Sequence, residues 1–201
     1  MMTPHERKNI VIESKRKDRI IRGKYIDLFP CTLEHSEEIV KLRNQEKSLY
    51  YLNQKQLSTL EGQNKWCDSY AQRDDDIYWC IYNKNGDMVG TVRLYNIEAD
   101  GSQCEEGSFI IDEAYAMSGP YALEAKLLVF NFAFDVLQAR KIINDNLAVN
   151  KNMNSISRRM GFILIKEYER DRIHFYLYEL IKENYKRADL EKILDKWRDR
   201  E

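Results

Sequence analysis

Apolar residues recur along this chain at two spacings, and the switches between them mark out its elements. Residues 24–29 read as a strand closed by Pro30, and Thr32 offers an N-cap to a helix carrying Leu33, Ile39, Val40 and Leu42. Ser58 followed by Glu61 fits a capping box for a second helix, which runs through Trp66 and Tyr70 and stops in the charged turn Asp74-Asp75-Asp76. The β-forming run over residues 77–82, the pair Asn85-Gly86 and the run over residues 88–97 predict a hairpin, with a further strand over residues 104–112.

The longest helix is expected to open at Pro120, which tolerates a first turn because its missing N–H has no helical partner there. Leu123, Leu127, Phe130, Phe134 and Leu137 then form one buried stripe. Residues 141–149 read as a strand that is apolar at both ends, and residues 152–160 as a short helix stopped by Gly161. Strands over residues 162–168 and 172–180 follow, then a charged helix over residues 182–199 with Leu190, Ile193, Leu194 and Trp197 on one side. The order β-αα-β-β-β-α-β-α-β-β-α predicts an α/β fold, a central mixed sheet flanked by helices.

Composition narrows this picture. The 201 residues are about the size of one domain with an added segment, and 43% hydrophobic with 11% aromatic residues suffice for one core. Lys+Arg 32 against Asp+Glu 33 leaves a net charge of −1, which argues against a nucleic-acid partner and against disorder. No apolar stretch reaches the ~18 residues of a membrane span, so no membrane partner is expected; the N-terminus lacks a signal peptide's apolar core. Cys31, Cys67, Cys80 and Cys104 show no C-x-x-C spacing, and His5, His35 and His174 are scattered, so no metal is expected. The cysteines read as reduced thiols of a cytoplasmic protein.

Residues 1–23 form a charged extension in which Ile10-Val11-Ile12 reads either as an added edge strand or as part of a solvated tail. Residues 24–181 form the domain. Residues 182–201 form a C-terminal helix packed on the domain or on a partner, which leaves a homodimer open.

A glycine-containing strand, a glycine turn, a long helix, a strand and the run Asn150, Asn154, Ser157, Gly161, Phe162 follow one another within residues 103–180. This succession, ending in N-x-x-x-N-x-x-S-x-x-x-G-F, resembles the central half of the GNAT acetyltransferase superfamily. Leu42-Arg43-Asn44 also resembles the (W/L)-R-N of members acting on sugar nucleotides and ribosomal proteins. The resemblance covers residues 24–180. It implies the GNAT fold and N-acetylation of a small-molecule amine, with acetyl-coenzyme A as co-substrate.

A turn opening a long helix presents free backbone N–H groups and the positive end of a helix dipole, a ready site for a pyrophosphate. Here that turn holds Met117, Ser118, Gly119, Tyr121 and Ala122. It departs from the family's (Q/R)-x-x-G-x-(G/A): Met117 stands where a basic or amide residue is usual, and Pro120 where a glycine is. Phe109, Ile110 and Ile111, on the preceding strand, are expected to pair with the pantetheine arm and to offer a backbone N–H to the acetyl carbonyl. Gly107 suits a bulge there.

Glu105 and Glu106 are the candidate bases, since alternation turns one of them toward the centre of the sheet. Ser157 stands where many relatives carry a tyrosine acid and can still donate a hydrogen bond to sulfur. Asn150 and Asn154 are expected at the coenzyme; capping the short helix is the structural alternative for Asn150. Arg43, Asn44, His174 and Tyr176 are assigned to the acceptor, best read as an amino sugar on a nucleotide carrier for glycan building. The alternatives are a protein N-terminus, as in the ribosomal-protein branch, and a binding module that has lost catalysis.

Overall fold

The computed structural model describes residues 2–197; the last residues of the expected C-terminal helix lie outside them. Strands β1 (Ile21–Arg22), β2 (Ile26–Pro30), β3 (Ile77–Asn83), β4 (Met88–Tyr95), β5 (Cys104–Ile111), β6 (Lys141–Leu147), β7 (Ile163–Arg170) and β8 (Ile173–Ile181) make one sheet in the order β1-β2-β3-β4-β5-β6-β8-β7. Neighbours are antiparallel except β5 and β6, which run parallel. Gly86 turns the β3–β4 hairpin at φ +89, and Asp171 and Arg172 turn β7 into β8 with φ 54 and 63.

Helices cover both faces. α5 (Tyr121–Asn131), α6 (Lys151–Met160) and α7 (Arg187–Trp197) contribute Leu127, Phe130, Met160 and Leu190 to the larger core, built on Ile77, Trp79, Ile81, Val92 and Leu94 of the sheet. On the other face α2 (Ser36–Arg43) and α4 (Leu60–Ala71) bury Ile39, Cys67 and Tyr70 against Tyr78 and Cys80. Each such large apolar side chain, buried in full, contributes about 1.5–3 kcal/mol. The expected mixed α/β sheet flanked by helices is the fold observed.

Ile10-Val11-Ile12 adds no edge strand. It lies in α1 (Pro4–Glu13), opened by a capping box between Thr3 and Glu6. This helix docks through Val11 and through Arg7, whose buried Nε donates to the Leu137 carbonyl at 2.8 Å and whose Nη1 donates to the Ala99 carbonyl. A guanidinium on the carbonyl end of the α5 segment is favoured by the helix dipole as well as by the hydrogen bonds. A further short helix, α3 (Glu46–Tyr51), has no counterpart in the expected elements.

Thr59, not Ser58, caps α4, its hydroxyl accepting from the Gly62 N–H; Ser58 is occupied by Asn44. The long helix departs from α geometry over Phe132–Val136, a π-type turn in which Leu137 N donates to the Phe132 carbonyl. Its first turn anchors the start of β2: the buried Glu124 carboxylate accepts from Lys24, Tyr25 and Ile26 N–H at 2.6, 2.7 and 2.8 Å.

Candidate active site

The sheet is discontinuous where its two halves meet. β5 and β6 pair only at Cys104–Ile142, Glu105–Ile143 and Glu106–Asn144, and their ladder ends there. Beyond that point both strands continue unpaired with each other, opening a wedge. On the β5 side Gly107 pairs with Arg93 and Ile110 with Thr91, so Ser108 and Phe109 together face Val92. This is a β-bulge, with Ser108 at φ 47; it interrupts the β4–β5 ladder, and the Ser108 carbonyl accepts the Thr91 hydroxyl at 2.9 Å.

The apex of the wedge is a buried polar knot. Glu106 accepts from the Lys126 ammonium of α5 at 2.6 Å and from the Asn144 amide of β6 at 2.6 Å. The Lys126 and Glu106 side chains are 3% and 0% exposed, and Lys126 also lies 4.2 Å from the centre of the Phe109 ring. Burial pushes the Lys126 pKa down, and the Glu106 charge opposes that shift. Glu106 is therefore committed to the junction of β5, β6 and α5. The expectation that it serves as a base is corrected on that ground.

One face of the wedge belongs to α5 and α6. The first intrahelical bond of α5 runs from Glu124 N to the Pro120 carbonyl at 2.9 Å, which leaves the Tyr121, Ala122 and Leu123 N–H groups without helical acceptors. Pro120 is the N-cap itself, one position before the first turn expected for it. Gly119 is needed just before it, because a Cβ there would stand 2.6 Å from the Tyr121 ring. Ser118 lies in this same turn, and Met117 is 90% exposed.

From α6, Ser157 is buried and accepts from the Asn146 amide at 3.1 Å. Asn154 donates to the Leu147 and Ala148 carbonyls, leaving its own buried Oδ1 unpartnered among the described residues. Asn150 caps α6 by accepting from Met153 N, the structural alternative foreseen for it. Ile110 is buried and Ile111 partly so.

On the opposite face stand Glu105 and Asp145. Glu105 accepts from the Asn96 amide at 2.9 Å. Asp145 on β6 follows the last rung of the β5–β6 ladder, accepts the Tyr168 hydroxyl through Oδ2 and keeps a buried Oδ1 unpartnered among the described residues. Burial raises the Asp145 pKa, the Tyr168 hydrogen bond pulls it back and the Glu105 charge adds to the rise. The Tyr168 hydroxyl is in turn pushed up to about 12. Asp145 is absent from the candidates read from sequence. The available signal was the polar run Asn144-Asp145-Asn146 inside a strand whose ends are apolar.

The same face carries a cleft of about 360 Å³ running from α2 and α4 to the bulge, lined by Arg43, Ser58, Trp66, Tyr78, Arg93 and Ser108 among others. Arg93 donates through Nε and Nη2 to Asp76, which is fully buried. Trp66 is stacked on Tyr70 at 5.0 Å and carries the Arg93 guanidinium 5.1 Å from its ring centre. Asn44 stays outside the cleft lining, exchanging hydrogen bonds of 2.9 and 2.8 Å with the Ser58 backbone and so holding one wall.

His174 and Tyr176 are not brought to this cleft. His174 is 71% exposed beside Glu169 in the β7–β8 hairpin, and Tyr176 packs on the larger core edge-on to Tyr178. Their assignment to the acceptor pocket is corrected, because the alternation of β8 turns both away from the cleft face. No group of metal-ligating side chains occurs among the described residues. Among those residues no helix is long and apolar enough to cross a membrane.

Residues 26–163 match the family model described as "Acetyltransferase (GNAT) domain". No curated protein matches the chain. Similar solved structures include apo FdhC, described as a nucleotide-linked sugar GNAT, at 24% identity and TM-score 0.73 over 87% of this chain and 96% of that one. A GCN5-related N-acetyltransferase from Brucella melitensis matches at 20% identity and TM-score 0.73, over 91% and 86% of the two chains. Spermidine N-acetyltransferase from Vibrio cholerae, solved with CoA and spermine, matches at 13% identity and TM-score 0.73, over 81% and 99%. At these identities the structural likeness establishes the fold alone.

Proposed function

Because the chain belongs to the GNAT acetyltransferase family, we propose that it transfers an acetyl group from acetyl-coenzyme A to the amine of a nucleotide-linked amino sugar, in the wedge between β5 and β6. The single observation that carries the reading is the coincidence, at that wedge, of a bulged strand, a helix N-terminus with unspent N–H groups and a half-buried carboxylate. The thioester, when bound, supplies an activated acyl group; the rest is the work of side chains and backbone.

The Tyr121, Ala122 and Leu123 N–H groups suit a pyrophosphate, and the unpartnered Asn154 Oδ1 suits an amide N–H of a pantetheine arm. The bulge at Ser108 and Phe109 frees backbone N–H groups to polarise an acyl carbonyl. An ammonium must lose its proton before it attacks, and Asp145 is better suited than Glu105 to take it. Its raised pKa moves it toward the operating pH, and its free Oδ1 retains acceptor capacity. Glu105, next to it in charge, favours the approach of a cation. Ser157, whose oxygen accepts from Asn146, suits a donor of a hydrogen bond to a leaving sulfur.

Support for the sugar acceptor is the likeness to the nucleotide-linked sugar GNAT and the absence of any carboxylate among the cleft-lining residues, which does not suit a polyamine. The test is calorimetric titration with acetyl-coenzyme A, then an acceptor panel of nucleotide amino sugars, peptides with free N-termini and spermidine. Micromolar coenzyme binding and turnover on the sugars is the expected result. Turnover confined to peptides or spermidine would overturn the acceptor; no coenzyme binding at millimolar concentration would overturn the transferase reading.

A further inference from the structure

The acceptor cleft is lined by two arginines, Arg43 and Arg93, and by no carboxylate. Arg93 is held bidentately by the buried Asp76, while Arg73, outside the cleft lining, is held by Asp75 at 2.8 Å as well as by Asp76 at 3.2 Å. Arg43, at the C-terminal end of α2, also lines the cleft, and among the described residues no carboxylate lies within ion-pair distance of it. A guanidinium left unpaired beside a concave surface retains a planar fork of donors suited to a phosphate or carboxylate.

A second observation is independent of charge. Tyr78 is 2% exposed and lines the same cleft, yet its buried hydroxyl has no hydrogen-bond partner among the described residues. The neighbouring Thr91 hydroxyl donates to the Ser108 carbonyl at 2.9 Å and makes at most a weak contact with the Tyr78 hydroxyl. A buried hydroxyl without a full hydrogen bond is destabilising, so its persistence beside a cleft points to a partner that arrives with the ligand. Burial pushes the Tyr78 hydroxyl pKa up, and the nearby Thr91 and then Arg43 act against that rise.

We propose that Arg43 and Tyr78 form an anion subsite in the acceptor cleft, so that the amine acetylated here belongs to a molecule that also carries a phosphate or carboxylate, and not to a polycation. This rests on the acetyltransferase reading for the amine and stands on the cleft's own geometry for the anion. Trp66, in the cleft wall, supplies a direct signal.

The experiment is fluorescence titration of the intact protein with glucosamine 6-phosphate, a uronic-acid amino sugar, glucosamine and spermidine, with and without saturating coenzyme A. The expected result is a saturable fluorescence change with the two anionic amines, a signal that Trp66→Phe removes. Their binding should weaken about ten-fold or more in Arg43→Met and partly recover in Arg43→Lys. Whichever anionic amine binds tighter identifies the phosphate or the carboxylate as the group recognised. Glucosamine binding as tightly as its phosphate, unaltered affinity in a folded Arg43→Met, preferential binding of spermidine, or no anion binding at all would each overturn the proposal. Calorimetric coenzyme binding on the same preparations reports the transferase reading separately: its loss alone, with anion binding retained, leaves the subsite standing.

Discussion

Replacing Lys126 by Met leaves Glu106 at the apex of the wedge with a carboxylate and no counter-ion. Both side chains are buried, 3% and 0% exposed, and their 2.6 Å contact is supplemented by a single donor, the Asn144 amide at 2.6 Å. Removing one member of such a pair costs about 3–5 kcal/mol, against about 0–1 kcal/mol for an exposed pair. For a chain of this length that is a fall of roughly 6–20 °C in Tm. Urea unfolding followed by circular dichroism at several pH values measures this. The pair Glu106→Gln with Lys126→Met removes both charges and should recover most of the loss. A recovered, folded double variant should also retain acetyl transfer within about ten-fold, since Glu106 is assigned no proton transfer, whose loss costs about 10²–10⁴. A loss under about 1 kcal/mol in Lys126→Met, independent of pH, would refute the reading of this knot.

Two further outcomes are expected. Gly161→Ala should destabilise far more than Gly86→Ala: both glycines have positive φ, +105 and +89, but a Cβ at Gly161 would lie 1.9 Å from the Asn184 carbonyl whereas Gly86 faces open space. Thermal melts compare them, and equal losses would assign the effect to backbone strain alone, about 1–2 kcal/mol. Tyr168→Phe removes the hydroxyl that lowers the Asp145 pKa, so the acid limb of kcat/KM, which tracks deprotonation of the base, should move to higher pH; an unmoved limb excludes Asp145 as the titrating base.

Elements whose burial follows a simple period were legible in the chain. The β3–β4 hairpin announced itself by its run of β-formers and Asn-Gly, and the stripe of the long helix by its three-and-four steps. α1 was not legible because its apolar residues stand consecutively at Ile10, Val11 and Ile12, and its main anchor is a buried arginine whose acceptors lie at Ala99 and Leu137. The candidate site divided in the same way. The turn before α5 and the strand ending in the bulge could be named from residue order. Alternation turned one of Glu105 and Glu106 inward, as expected, but the partner waiting there, Lys126, sits on the buried side of a helix where a cation is uncommon. His174 and Tyr176 alternate as an acceptor wall would, and only the three-dimensional path of β8 separates them from the cleft.

The Arg7 anchor also bears on the order in which the molecule assembles. Its two acceptors lie 92 and 130 residues further along the chain, so α1 is synthesised long before the groove it fills. Contacts of such sequence separation close late and slowly in folding. Until the π turn has formed and fixed the Leu137 carbonyl, the α1 segment has only its capping box and local hydrogen bonds to hold it, too little for a ten-residue helix in water. Docking of α1 then reports completion of the fold from the far end of the chain. A trypsin site inside α1 would stay open during refolding and close in the last kinetic phase.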